Sequence, residues 1–101
     1  MRKIIDIEPL ESFHLLCVFE NGERKVLNLN EALDKSNKYV SKILTKEIFT
    51  QAKVGALGQI YWDGIAEIKN LEGKWEPCEY DISPDFAYFH SSASTSEVDL
   101  Y

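Results

Sequence analysis

Phe13-His14-Leu15-Leu16-Cys17-Val18-Phe19-Glu20-Asn21-Gly22-Glu23-Arg24-Lys25-Val26-Leu27-Asn28-Leu29 is the stretch on which the fold turns. Residues 13–19 are a run of apolar and aromatic side chains, and 24–29 form a second, shorter one. Asn21-Gly22 stands between them. Both residue types accept the positive φ that a type I′ turn needs at its two central positions, so the stretch reads as a β-hairpin. A two-residue loop sets the register: Phe19 faces Arg24, Cys17 faces Val26 and Leu16 faces Leu27. Leu15, Cys17, Phe19 and Val26 then share one face, and Leu16, Val18, Leu27 and Leu29 share the other. With apolar side chains on both faces, the hairpin is expected well inside a sheet, its second face at least partly covered.

Upstream, Ile4-Ile5-Asp6-Ile7 reads as a strand stopped at Glu8-Pro9, because proline cannot donate to a ladder. Downstream, Asn28-x-x-Glu31 has the spacing of a capping box, and Asn30 is an alternative cap. Tyr39 and Ile43, and Val40 and Leu44, fall four apart, which is a helical spacing. Thr45 can cap a further turn that carries Ile48 and Phe49. Residues 30–51 are therefore read as two or three short helices covering one sheet face. Strand chemistry returns at 52–57 and 59–62, broken at Gly58. Asp63-Gly64 is a second hairpin signal with 65–69 as the return strand, and Glu72-Gly73 is a third, ahead of Trp75 and 78–82. Turn signals this close together argue for an antiparallel meander. Ser83-Pro84-Asp85 opens a single helical turn, with serine as cap, proline at the first helical position and an acid near the positive end. Phe86, Tyr88 and Phe89 should pack that turn down. The expected class is α+β: an antiparallel β-sheet meander with short helices between the N-terminal hairpin and the C-terminal strands. Residues 1–90 form the single domain and 91–101 a flexible acidic tail.

A chain of 101 residues with 45% hydrophobic and 12% aromatic content has the makings of one globular core. Seventeen acids against eleven bases leave a formal charge of −6. Arg24, Lys25, Lys35, Lys38, Lys42 and Lys46 are scattered among Glu31, Asp34 and Glu47, which describes a solvated face. Phosphate binding needs clustered positive charge, so nucleic-acid binding by this chain alone is not expected. No run approaches the ~20 apolar residues of a membrane span, and the N-terminus lacks the apolar stretch of a signal peptide. Cys17 and Cys78 match no metal spacing. A cytoplasmic protein with reduced thiols is the expectation, with Cys17 as a small core residue.

Little of the polar content points to chemistry. Asp81 and Asp85, with Glu79 nearby, could pair carboxylates for metal binding or acid–base work. The turn chemistry around Pro84 favours structural roles instead, with Asp81 accepting backbone hydrogen bonds and Asp85 beside a helix N-terminus. His14 and His90 are the only histidines, and no His/Cys pair has zinc spacing. No Gly-x-Ser-x-Gly frames a nucleophile, and Gly55, Gly58, Gly64 and Gly73 read as turn glycines rather than a phosphate loop. Neither a metal nor a cofactor is implied. Among the aromatics, Trp62 and Tyr88 are expected inside. Trp75, Tyr80 and Tyr61 are the candidate interaction surface, with Trp75 exposed.

Several fragments, in order, resemble the bacterial family called domain of unknown function 2442. They are Val18-Phe19-Glu20-Asn21-Gly22-Glu23 with Val26-Leu27-Asn28-Leu29, then Ile48-Phe49 with Ala52-Lys53-Val54, then Gln59-Ile60-Tyr61-Trp62, then Asp81-Ile82-Ser83-Pro84-Asp85-Phe86-Ala87-Tyr88. In that pattern the tryptophan strand lies close to the Asp-x-x-Pro motif. Here 65–79 intervenes and reads as an inserted hairpin, and Asn28 stands where an aspartate is common. The resemblance implies a small α+β fold, gives Asn21, Gly22, Trp62, Asp81, Pro84, Asp85 and Tyr88 structural roles, and implies no activity. It adds a hint of helix-turn-helix or toxin–antitoxin-like partners. The expected function is a non-enzymatic protein-binding or regulatory module of a bacterial cytoplasm, contacting another protein or itself as a homodimer. Two alternatives stand beside it: a small-molecule or metal-dependent enzyme using Asp81, Asp85 and a histidine, and an antitoxin-like partner of a neighbouring protein.

Overall fold

The hairpin around Asn21-Gly22 forms, but not through the expected turn. In the computed structural model, which describes residues 2–93, strands β2 (His14–Phe19) and β3 (Arg24–Asn28) are joined by a three-residue loop. The Phe19 N–H donates to the Glu23 carbonyl (2.8 Å), the Gly22 N–H donates to the Phe19 carbonyl (2.8 Å), and Gly22 alone takes a positive φ of 90°. The extra loop residue moves the register by one, so Leu15 faces Leu27, Leu16 faces Val26 and Cys17 faces Lys25. A slip of one exchanges the faces of the returning strand. Leu27 therefore joins Leu15, Cys17 and Phe19 in the core, while Val26 moves to the outer face with Leu16 and Val18. This register gathers Leu15, Cys17, Phe19 and Leu27, all buried, on the inner face beside half-buried Lys25, the larger apolar ones each worth about 1.5–3 kcal/mol.

The same loop closes two other hairpins. One joins β4 (Lys53–Val54) to β5 (Ile60–Lys69): the Gly55 N–H donates to the Gln59 carbonyl (2.8 Å) and Gly58 has φ 79°. The other joins β5 to β6 (Trp75–Ile82): the Asn70 N–H donates to the Lys74 carbonyl (2.8 Å) and Gly73 has φ 80°. In each, the third loop residue is a left-handed glycine that returns the chain with the right twist.

Asp63-Gly64, in contrast, is no turn. Strand β5 runs straight through it. Trp62 faces Tyr80 and Ala66 faces Cys78, so three residues of β5 oppose only Glu79. Gly64 sits at φ 68° in this bulge. A bulge and a tight turn both recruit a residue that tolerates positive φ, which is why the dipeptide misleads. Residues 65–79 are therefore the distal half of one long β5–β6 hairpin, not a separate inserted one.

The strands build two antiparallel sheets, ordered β1-β2-β3-β7 and β4-β5-β6. Strand β1 (Ile4–Pro9) takes in Glu8 and Pro9 before it ends at the proline, because an edge strand tolerates proline. The sheets meet where the Ile4 N–H donates to the Gly58 carbonyl (3.2 Å). A single core cluster draws from both sheets and the helices, including Leu15, Phe19, Ile43, Phe49, Ile60, Trp62, Ile82 and Ala87.

Three short helices fill 29–49. In α1 (Leu29–Ala32), Asn28 caps by accepting from the Asn30 N–H (3.0 Å), and its amide donates to Glu31 (2.7 Å), a capping box closed through the side chain. Asn37 caps α2 (Lys38–Ile43). Thr45 precedes α3 (Lys46–Phe49), but its hydroxyl donates back to the Lys42 carbonyl (3.0 Å) and caps nothing. Helix α4 (Pro84–His90) is about two turns rather than one, with the Ser83 hydroxyl accepting from the Phe86 N–H (3.1 Å). Phe86 and Tyr88 pack inward, whereas Phe89 stays exposed. Strand β7 (Ser92–Ala93) pairs with β3, so ordered pairing extends beyond residue 90. The rest of the expected tail, 94–101, lies outside the described residues.

Candidate functional site

Beyond the Gly64 bulge, β5 and β6 form a two-stranded arm, and the molecule measures 55 × 27 × 19 Å. From Glu67 to Pro77 every side chain is exposed except half-buried Asn70. On β6, Glu76, Cys78, Tyr80 and Ile82 alternate with Trp75, Pro77, Glu79 and Asp81. Ile82 is buried and Tyr80 packs on the core, its ring centroid 6.3 Å from that of Trp62. Tyr80 thus belongs to the inner face, not to the expected interaction surface, and burial, helped by the Asp81 charge, pushes its phenol pKa up. Half-buried Tyr61 faces Asp81 on the outer face. Trp75 shares that face but lies six residues along β6 from Asp81, about 20 Å at strand rise. The three aromatics therefore form no common patch.

Trp75 is 62% exposed, as its place in the chain suggested, with the Lys69 ammonium 5.7 Å from its ring centroid. The apolar neighbours that matter are ones sequence reasoning missed. Leu71 occupies the first loop position and is fully exposed, and Ile68 is 58% exposed on the inner face past the end of the core. An apolar residue beside Glu72-Gly73 was the available signal. Apolar side chains thus occupy both faces and the tip of a hairpin.

The carboxylates of interest do come near one another. Asp81, Asp85, Ser83 and Gln59 line one open depression of about 280 Å³. Neither histidine lines it. The His14 Nδ1 bonds the Ser12 carbonyl (3.0 Å), and His90 stacks on Phe86 at 4.1 Å. Asp85 sits in the first turn of α4, but Asp81 makes none of the turn hydrogen bonds expected of it, because Ser83 supplies the cap. Among the described residues no group of three or more His, Cys, Asp or Glu is placed to hold a metal ion. Cys17 is buried in the core, and burial pushes its thiol up to about 12.

Tyr88 anchors α4 to the first hairpin. Its ring meets Phe19 edge-on at 5.2 Å, with the Arg2 guanidinium 4.0 Å and the Lys25 ammonium 3.8 Å from its centroid. Its hydroxyl donates to Glu23 (3.0 Å), which Asn21 and then Tyr88 hold below the usual carboxylate range.

A second concavity was not foreseen at all. Between β1 and β2, Ser12 (φ 57°, ψ 35°) and Phe13 (φ 60°) are both left-handed, and the His14 N–H donates to the Glu11 carbonyl. These are the features of a type I′ turn, built from Ser-Phe where Asn-Gly is usual. Left-handed backbone costs a side-chain-bearing residue roughly 1–2 kcal/mol. The Ser12 carbonyl, accepting from Asn30 Nδ2 (2.6 Å), and an edge-on Phe13–Phe49 contact at 5.3 Å hold the turn in place. The Trp62 indole N–H donates to the Phe49 carbonyl (3.3 Å) and ties this corner to the core. Pro9 at the end of β1, Leu10, Glu11, Ser12 and Phe13 from the turn, Lys46 and Phe49 from α3, and Thr50 just after it line an open groove of about 620 Å³. That lies within the range of small-ligand sites.

No family model, curated protein or solved structure matches the chain.

Proposed function

We propose that the chain is a protein-binding module of a bacterial cytoplasm, kin to domain of unknown function 2442, that docks through its β5–β6 arm and carries out no bond chemistry itself. The observation that supports this reading is the arm: Ile68, Leu71 and Trp75 stand in solvent on a two-stranded projection. Such a hairpin is marginal alone in water, and exposed apolar groups clustered on it gain only when a partner covers them. Because the apolar groups occupy both faces and the tip, the fitting partner surface is a cleft that wraps the arm. Pro77 and the acids Glu76 and Glu79 on β6 discourage simple edge-to-edge strand addition. The partner of choice is thus another protein with an apolar cleft, or a second copy of this chain.

The test is affinity capture from the native cytoplasm together with light scattering on the purified chain. A stoichiometric companion, or a dimer, that the triple change Ile68→Ser, Leu71→Ser, Trp75→Ser releases is the expected result. A strict monomer together with no stable companion refutes the proposal, as does a companion held equally well by the triple variant.

A further inference from the structure

The geometry points to a second, independent site: the groove between the β1–β2 turn and α3 binds a small zwitterion with a bulky apolar body, of the class of large apolar amino acids. The inference does not depend on the arm. Leu10, Phe13 and Phe49 give the groove an apolar lining, and its volume of about 620 Å³ accommodates a ligand of that size. Residues of opposite charge line the same space from different elements, Glu11 from the turn and Lys46 from α3. They do not neutralise each other, since the one ion pair among the described residues joins Lys53 to Asp63. An ammonium and a carboxylate carried by one small molecule would complement both. The strained turn supplies the third observation: a glycine at position 13 would relax the backbone but would delete the ring that walls the groove. Strain retained beside a concavity is commonly associated with ligand clamps.

Chemical-shift titration of the full, uniformly labelled chain at low ionic strength tests this, with L-phenylalanine, 3-phenylpropionate and 2-phenylethylamine as probes. Amides of residues 10–13 and 46–50 should shift with L-phenylalanine. Each charge-deleted analogue should bind about threefold more weakly, the size expected of one exposed ion pair. Lys46→Gln should erase the advantage over phenylethylamine, and Glu11→Gln the advantage over phenylpropionate. Both changes are on the surface and leave the core untouched. Equal affinities for all three probes overturn the proposal, as does the absence of shifts up to about 10 mM probe. Groove shifts that follow protein concentration and vanish in the triple variant Ile68→Ser, Leu71→Ser, Trp75→Ser also overturn it, because they make the occupant the arm of a second copy.

Discussion

Replacing Phe13 by alanine and by glycine should invert the usual order of stability. In most backbone settings alanine is the more stable of the pair, because glycine loses about 0.5–1 kcal/mol more conformational freedom on folding. Phe13 sits at φ 60°, next to Ser12 at φ 57°. There alanine keeps a left-handed penalty of roughly 1–2 kcal/mol that glycine escapes. Loss of the half-buried ring and its contact with Phe49 is common to both variants and cancels in the comparison. Glycine should therefore come out ahead by about 0.5–1 kcal/mol, equivalent to a few degrees in Tm for a domain of this size. Urea unfolding followed by circular dichroism, with equal m-values, measures the difference. Exposed Ser41 in α2 provides the control, where alanine should beat glycine in the ordinary way. If Phe13→Ala equals or exceeds Phe13→Gly, the turn is not strained.

Glycine replacements should rank by what a methyl group meets. At Gly22 nothing lies within 4 Å, so Gly22→Ala should lose only about 1 kcal/mol to its φ. At Gly58 a Cβ would fall 2.7 Å from the Lys3 Cα at the junction of the sheets, adding about 1–3 kcal/mol of overpacking; equal losses in urea melts would contradict the packing described there. Cys17 should give an alkaline signature. Its thiol is raised from the ordinary 9.0 to about 12, so above pH 9 the unfolded chain sheds a proton the folded chain keeps. Its contribution is nil below pH 9 and then costs about 1.4 kcal/mol per pH unit between the two values, a part of the alkaline slope that Cys17→Ala should remove while the part due to the raised Tyr80 phenol remains. Trp75→Ser should change stability by less than about 0.5 kcal/mol, whereas Trp62→Ala should cost about 3–5. Acrylamide should quench the fluorescence of Trp75 and leave that of buried Trp62 largely untouched.

Local signals were legible wherever one residue type has one physical use. Ser83-Pro84 opens a helix where it was expected to, Asn28 and Glu31 close a capping box, and Cys17 in its apolar run is buried. The α+β class followed from the alternation of such signals. Legibility failed where one signal serves two geometries. Asn-Gly fits a two-residue and a three-residue loop equally well, and the choice between them decided which side of β3 faces the core. Asp-Gly fits a turn and a bulge, and only the continuing pairing of Ala66 with Cys78 separates them. The groove was illegible for a different reason. Ser12-Phe13 contradicts turn preferences, and the long-range contacts with Asn30 and Phe49 that hold it have no local signature.

The exceptions to local rules do not all carry the same weight. Three hairpins place glycine at the third loop position, and α1, α2 and α4 are each capped by an Asn or Ser side chain. Against that consistency stand Phe13 in a left-handed position and Leu71 in a solvated loop. Natural sequences keep local preference aligned with the fold and depart from it mainly where function intervenes. Phe13 has a partial structural offset, since its edge contact with Phe49 is worth about 0.5–1.5 kcal/mol beyond the area it buries. Leu71 has none. Its side chain is fully exposed and, in solvent, gains nothing from burial. A polar residue would serve that loop as well, so if the arm docks as proposed, the leucine's contribution lies in that contact rather than in the fold. By this reasoning Leu71, more than Trp75 with its Lys69 neighbour, is the residue whose single replacement should weaken docking while leaving the melting curve where it is.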